Sequence, residues 1–376
     1  MFLTRSSSVA LAAILLTACQ STGDSNQAEL PVAGAVPSDD LIQPGEERFF
    51  KHLWQVTWGG ENAEAYWSFD GTRLVMQSRR PKEGIDCDQI FTTSASGGGT
   101  EMVSTGKGVT TCAYFLPGDD QVVYASTHGA HDDCPAPPDR SEGYVWALHP
   151  EYDIWVTDLS DGSQRPLITG YGYDAEATVS PTGDRMVFTS TRSGDVELWT
   201  CNIDGSDQTM VTDVPGYDGG AFFSHDGKRL VFRTTAFTPG KEQAELADYR
   251  RLLKQNLVRP SKMEIYTCAA DGTERQQITA LGGANFAPFF TPDDSHIVFS
   301  TNHHDGGRPA LNFDIFMIPA SGGEAIQVTH FDAGRGKQFD SFPMFSPNGR
   351  YMAFASNRGD GESGETNVFI AEWIEQ

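Results

Sequence analysis

The sequence predicts an all-β fold: a six-bladed β-propeller with four-stranded blades, the last closed by a strand from the N-terminal side. Two repeated motifs and one leftover strand predict it. The first motif is a turn, which reads Trp67-Ser68-Phe69-Asp70-Gly71 in the first copy and Phe345-Ser346-Pro347-Asn348-Gly349 in the last. Val179-Ser180-Pro181-Thr182-Gly183 and Phe223-Ser224-His225-Asp226-Gly227 lie between them. The second motif is a strand of β-branched and aromatic residues, such as Ile154-Trp155-Val156, Leu198-Trp199-Thr200 and Ile315-Phe316-Met317. Each occurs six times, in fixed order. A period of about 40–50 residues with four strands per unit is the signature of a propeller, because one such sheet cannot bury both faces without neighbours of its own kind. The leftover strand is 53–57, Leu-Trp-Gln-Val-Thr, which matches the fourth strands of other units. The final unit stops after its third, so 53–57 is expected to complete it and leave no open sheet edge.

The clearest unit runs from Tyr173 to Asp213. Residues 177–180 form a first strand, Pro181-Thr182-Gly183-Asp184 turns it into a second at 185–190, and 196–202 is the third. Asp204-Gly205 supplies the positive φ of a tight hairpin into a fourth strand at 209–212. The propeller is expected to occupy 45–376, with 19–44 a small, polar, Pro-containing tether that lacks an apolar period.

Residues 1–18 read as an export signal: Arg5, a short apolar run at 9–16, then Leu16-Thr17-Ala18-Cys19. The run is too short to span a bilayer. Those last four residues resemble a bacterial lipobox, which implies lipidation at Cys19. Gln20 after the cysteine implies the outer rather than the inner membrane. The expected location is therefore the periplasm, with a lipid anchor in the outer membrane. A formal net charge of −24 argues against nucleic acid or anionic head groups as partners of the folded part.

The chain has six cysteines. With Cys19 set aside, Cys201 and Cys268 sit at equivalent places in adjacent third strands and should not bond to each other. Cys87, Cys112 and Cys134 fall on one rim, where a disulfide is expected in an oxidising compartment, without the pair being specified. His128, His131, Cys134 and Cys112 have ligand chemistry for a metal, but their spacing matches no established zinc pattern.

Extra length is concentrated between second and third strands, at 129–151, 237–262 and 305–312. These loops share a face with the connections between blades, which makes that face the candidate binding surface. Residues 241–256 read as a helix, with Leu246, Tyr249, Leu253 and Leu257 at helical spacing, and packing on the propeller's own rim is favoured over docking a partner. Two rings of side chains are expected at the mouth. One contains Glu64, Cys112, Glu176, Gly220, Ala287 and Phe342. The other contains Asn62, Thr110, Asp174, Asp218, Asn285 and Asp340, with Arg80, His128, Arg192, His303 and Arg358 just outside. From these, Glu64, Asp174, Glu176, Asp218, Asp340, Arg192, Arg358 and His303 are the candidate binding residues. Their surplus of carboxylates favours a peptide amine, a basic side chain or a calcium ion. The competing reading is that the same groups stitch blades together by hydrogen bonds. No catalytic residue and no required cofactor is assigned.

The units Ala177-Thr178-Val179-Ser180-Pro181-Thr182-Gly183-Asp184-Arg185-Met186-Val187-Phe188 and 340–349 resemble the WD40-like repeats called PD40, found in TolB-like six-bladed propellers. The resemblance covers nearly everything from about residue 45 onward. It implies the fold, while the propeller type itself serves a partner of the peptidoglycan-associated lipoprotein, serine peptidases and polysaccharide lyases. TolB relatives carry an α/β domain ahead of the propeller, whereas here the tether precedes it. The peptidase relatives carry a G-x-S-x-G elbow, and this sequence has none. The lyase relatives imply a metal held at the mouth, for which His128, His303, His304 and Glu64 are the available residues. The function expected is an outer-membrane-anchored platform that binds an envelope protein or peptide. A metal-assisted enzyme acting on a saccharide is the alternative.

Overall fold

The computed structural model describes residues 34–305, 312–330, 338–359, 361–362 and 364–376. Cys19, the export signal and residues 19–33 of the expected tether lie outside the described residues, as do 306–311 of the third long loop.

Six antiparallel sheets follow one another in chain order, each sheet running from its inner strand outward. The third blade shows the pattern, with Asp174–Val179, Arg185–Ser190, Glu197–Asn202 and Thr209–Met210. The second and third strands are almost wholly buried, which is why they read as apolar runs without clean alternation. In the first four blades a polar side chain at the top of the third strand accepts from the backbone where the fourth strand leaves for the next blade. Glu264 accepts from Thr279 and from the N–H groups of Leu281 and Gly282, and Gln89 does the same for Ser104 and Gly106. On the opposite face the repeated turn is closed by its own side chains, as where Ser68 and Thr72 donate to Asp70.

Ring closure follows the predicted route. Phe50–Gln55 pairs with the last strand, Asn367–Trp373, with Leu53 opposite Ala371 and Trp54 opposite Ile370. Ordered contacts begin earlier than residue 45. Val36–Pro37 adds a fifth strand to this blade, and Asp39 accepts from the Leu53 N–H at 2.7 Å. The Ser38 hydroxyl donates to the Val36 carbonyl at 3.0 Å, so these short polar side chains wrap the end of the expected tether onto the sheet. Glu46 is fully buried. It pairs with Arg358 at 3.0 and 3.1 Å, and Arg358 pairs in turn with Asp340 at 2.8 Å.

The helix forms at Glu242–Leu253. Its buried Tyr249, with Leu246 and Leu253 beside it, packs in one cluster with Leu148, Tyr152, Tyr173 and Tyr217, and Leu252 is buried as well. The stripe therefore covers the molecule's own rim. The two long insertions also pair with each other, Trp146–Ala147 with Leu257–Val258, in a small ribbon that bridges from the second blade to the fourth. A disulfide between Cys87 and Cys134 ties the first of these insertions back to the first blade.

Candidate functional site

Every inner strand carries a bulge near its start. The register shifts in all six, and one residue in each takes a positive φ: Glu64, Cys112, Glu176, Gly220, Ala287 and Phe342, between 49° and 59°. Five of the six are not glycine, in a region that L-residues seldom adopt. The bulge re-aims the side chain, and these six residues form the wall of the central channel. Tyr66, Thr178, Phe222 and Arg233 complete the lining.

The two predicted rings separate here. Period-2 alternation would put residues two apart on the same face, but the bulge between them breaks it. Asp174, Asp218 and Asp340 are held inside the blades instead of crowding the axis. Arg192 donates to both oxygens of Asp174 at 2.8 Å, Arg358 to Asp340 at 2.8 Å, and Arg275 to Asp218 at 2.8 and 3.0 Å. Asn62 and Arg80 repeat the arrangement at 3.1 Å. The like charges that the sequence reading places around one axis are thus separated, each with its own guanidinium. His303 stands away from the channel wall. Its Nδ1 lies 3.2 Å from the Thr301 hydroxyl and its ring packs on Phe316, and burial beside His304 lowers its pKa. His304 contacts Asp314 at 2.9 Å, and His128 packs on Trp155. Among the described residues, no three His, Cys, Asp or Glu side chains gather as metal ligands would.

Two carboxylates remain on the wall, and they differ. Glu176 is saturated: it accepts from Thr189 at 2.7 Å, from Tyr217, from the Gly220 N–H at 2.9 Å, and from Arg233. Arg233 also donates to the Tyr217 hydroxyl at 2.7 Å. Burial works against its charge, but Glu176 and Tyr217 outweigh burial and raise its pKa. The Gly219-Gly220 pair makes room for this cluster. A Cβ on Gly220 would meet Arg233, and one on Gly219 would lie 2.6 Å from Glu176.

Glu64 has no such partner. Its Oε2 is buried without a hydrogen bond among the described residues, and only the Cys112 thiol stands within bonding reach of the carboxylate. Burial pushes its pKa up to about 7; the thiol and Arg233 oppose that rise, while Glu176 and Asp88 add to it. Sequence reasoning missed Arg233, Tyr217 and Arg275. Arg233 had a signal: a charged residue inside an otherwise apolar second strand, opposite two consecutive glycines.

The channel is a blind funnel. Tyr66 meets Phe222 edge-on at 5.3 Å, and Phe222 meets Phe289 at 5.3 Å. Tyr66 and Phe222 belong to the first and fourth blades, which face each other across the ring, so their contact plugs it. Above the plug the wall is two-sided. Glu64, Cys112, Glu176 and Arg233 line one side and Ala287 and Phe342 the other, and behind Phe342 the rings of Phe286, Phe313 and Phe339 join it in a cluster with contacting ring centres 4.9–6.2 Å apart. The insertion ribbon reaches the polar side, where Trp146 lies against Arg233 at 5.1 Å.

No family model and no curated protein matches the sequence. Solved structures do match in fold. TolB from Acinetobacter baumannii superposes with a TM-score of 0.53 at 17% identity over 81% of this chain, which spans 64% of that protein's length. A putative TolB from Agrobacterium tumefaciens gives 0.54 at 17% identity, covering 84% of this chain and 91% of the other. The fold is that of the TolB-like six-bladed propeller. An oligogalacturonate lyase in complex with manganese also matches, with a TM-score of 0.50 at 14% identity, covering 91% of this chain and 97% of the lyase. At such identities the likeness concerns fold, and function rests on the site.

Proposed function

We propose that this protein is a periplasmic lipoprotein, held at the outer membrane by lipid on Cys19, whose propeller binds an envelope protein segment or peptide at the channel mouth. The observation that carries this reading is the difference between the two faces of the ring. One face consists of short, self-closed turns. The other bears the insertion ribbon, the helix, the disulfide and the Glu64 end of the funnel. Exposed aromatic side chains stand on the same face, with Tyr171 93% and Tyr144 48% exposed, and tyrosine is a common anchor of protein interfaces. The TolB-named structures sharing this fold are in keeping with a protein-binding propeller.

Affinity capture of the full-length protein from native outer membranes tests the reading. Tyr144→Ala together with Tyr171→Ala is expected to lose the co-purifying chain while the unfolding midpoint stays unchanged. Undiminished capture would move the site off this face. If the purified protein instead carries a chelator-sensitive stoichiometric metal and turns over saccharides, the metal-assisted enzyme replaces the platform. The anchor is tested separately. Cys19→Ala should shift the protein from the membrane to the soluble fraction, because stable anchoring requires more than one acyl chain and the modified cysteine would supply them. A variant that still sediments with membranes at high salt refutes lipidation.

A further inference from the structure

The funnel wall contains one carboxylate that the fold leaves without a counter-ion. Glu176 has its arginine, tyrosine, threonine and backbone donors, and Asp174, Asp218 and Asp340 have their arginines. Glu64 has an unpaired oxygen at the same depth, on the edge of a cavity closed below by aromatic rings. A half-buried carboxylate with one oxygen buried and unpaired is costly unless it is protonated or a donor arrives from outside.

We infer that the funnel is a socket for a single primary ammonium group, the end of a lysine side chain on the partner, which enters from the mouth and pairs with Glu64. This rests on the mouth being the binding face. Three features favour an ammonium over other cations. Calcium needs six to eight oxygen ligands, and beside Glu64 the lining offers only the Tyr66 and Thr178 hydroxyls as further side-chain oxygens, with a thiol, a methyl, a glycine and phenyl rings, while Glu176 is already occupied. A guanidinium needs a planar acceptor pair, and one Glu64 oxygen already has the Cys112 thiol within reach. Tyr66, Phe222 and Phe342 provide ring faces for a cation and an apolar sleeve for its stem. Depth agrees as well. The bulge lies two residues below the start of five inner strands and three below the start of the Glu64 strand, about 7–10 Å at strand rise, which an extended lysine side chain reaches with its hydrogen bond and a chain terminus cannot without dragging its backbone inside.

The pairing is pH-dependent. The charged and titratable groups around Glu64 are Glu176 and Arg233, which neutralise each other, with Asp88, the Cys112 thiol and the Tyr66 hydroxyl. Lysine stays charged through neutrality, so the carboxylate sets the window. Glu64 must be ionised to pair, and the socket therefore weakens as pH falls from 8 to 6.

Cys112 provides the readout. Cys112 is half-buried on the funnel wall, where burial and then Glu64 push its thiol well above the ordinary range, while Cys201 and Cys268 are buried, Cys87 and Cys134 are bonded to each other and Cys19 is taken up by the proposed lipid. The probes are two methanethiosulfonate reagents of similar size, one ending in an ethylammonium and one in an ethylsulfonate, applied to the full chain with its disulfide intact. At pH 8 the cationic reagent is expected to modify Cys112 about tenfold faster than the anionic one or more. The ratio should fall towards that of Glu64→Gln at pH 6. Comparing rates at one pH cancels the change in thiolate fraction, and Cys112→Ala confirms the site of reaction. Glutamine keeps the size of glutamate at this positive φ, and an unfolding midpoint no lower than that of the parent protein shows that the variant is folded. A cation preference that survives Glu64→Gln undiminished overturns the inference, because it would report only the overall negative charge. Equal rates for the two reagents at pH 8 overturn it too, since the socket would then show no preference for a cation. Partner capture by the tyrosine variants is a separate measurement. If capture fails to map to the mouth while the Glu64-dependent selectivity persists, the socket stands and the partner reading falls.

Discussion

At the scale of single residues, the buried carboxylates set how stability depends on pH. Glu64 is pushed up to about 7, and Glu197 up to about 8 by its burial, which the Thr212 hydroxyl opposes and Asp218 and Asp195 reinforce. Both are raised above their ordinary value of 4.5. The native state therefore keeps protons that the unfolded chain has already released, and stability falls as pH rises from about 4.5 through 7 and 8. Asp226, Asp293 and Glu245 run the other way. Hydroxyl or lysine donors hold each at about 2, so their contribution is present at neutral pH and lost only as pH falls below about 4. The unfolding midpoint is expected to be higher at pH 5 than at pH 8, and Glu197→Gln should reduce that difference. A midpoint that rises from pH 5 to pH 8 would show that these carboxylates are not buried as described. Their identity as special residues was only half legible. Glu64 and Glu176 could be placed on the wall by counting back from the turn motif, but nothing in the sequence distinguishes the saturated one from the unpaired one. That depends on Arg233 and Tyr217, which come from the next blade.

At the scale of elements, the strands were legible because the turn chemistry repeats and because second and third strands must be apolar on both faces. The bulges were not legible. A positive φ at Glu64, Cys112, Ala287 and Phe342 has no local sequence signal, since glycine takes that position only at Gly220. The bulges are imposed by packing six inner strands around an axis, where an unbulged strand would aim both rings inward. Missing them moved Asp174, Asp218 and Asp340 from the blades to the channel in the sequence reading. The cross-blade ribbon was hidden for a related reason. Trp146–Ala147 and Leu257–Val258 are two residues each, too short to announce a strand, and they pair only because both insertions fold towards the third blade. The helix between them was legible, its apolar stripe being local and periodic. The disulfide was legible as to rim but not as to pair, since choosing Cys134 for Cys87 requires knowing how the insertion folds back.

At the scale of the whole molecule, the ring is closed by more than a strand. Phe50–Gln55 contributes the ladder to Asn367–Trp373, and Val36–Pro37 covers its outer edge. Below them Glu46, Arg358 and Asp340 form a fully buried chain of charges joining the N-terminal segment to the second and inner strands of the same blade. Glu46 also accepts from the His330 N–H in the connection from the fifth blade, so a single side chain links three parts of the chain. Removing one member of such a group leaves the others buried and uncompensated, which costs about 3–5 kcal/mol. Arg358→Met strands two carboxylates in that way and is expected to lower stability by about that amount in denaturant titration. Truncation separates the ladder from the tether. A chain starting at Gly34 keeps every contact named here and should unfold at the same midpoint as the full mature protein. A chain starting at Trp58 loses Glu46, the closing strand and its cover together, exposing Asn367–Trp373 as an unpaired, wholly buried-type edge. It should aggregate or unfold at a markedly lower temperature, and equal midpoints for the two truncations would refute closure by this segment. The expected order of damage is the full loss of 34–57 first, then Arg358→Met, because the substitution spares the backbone ladder while the truncation removes both.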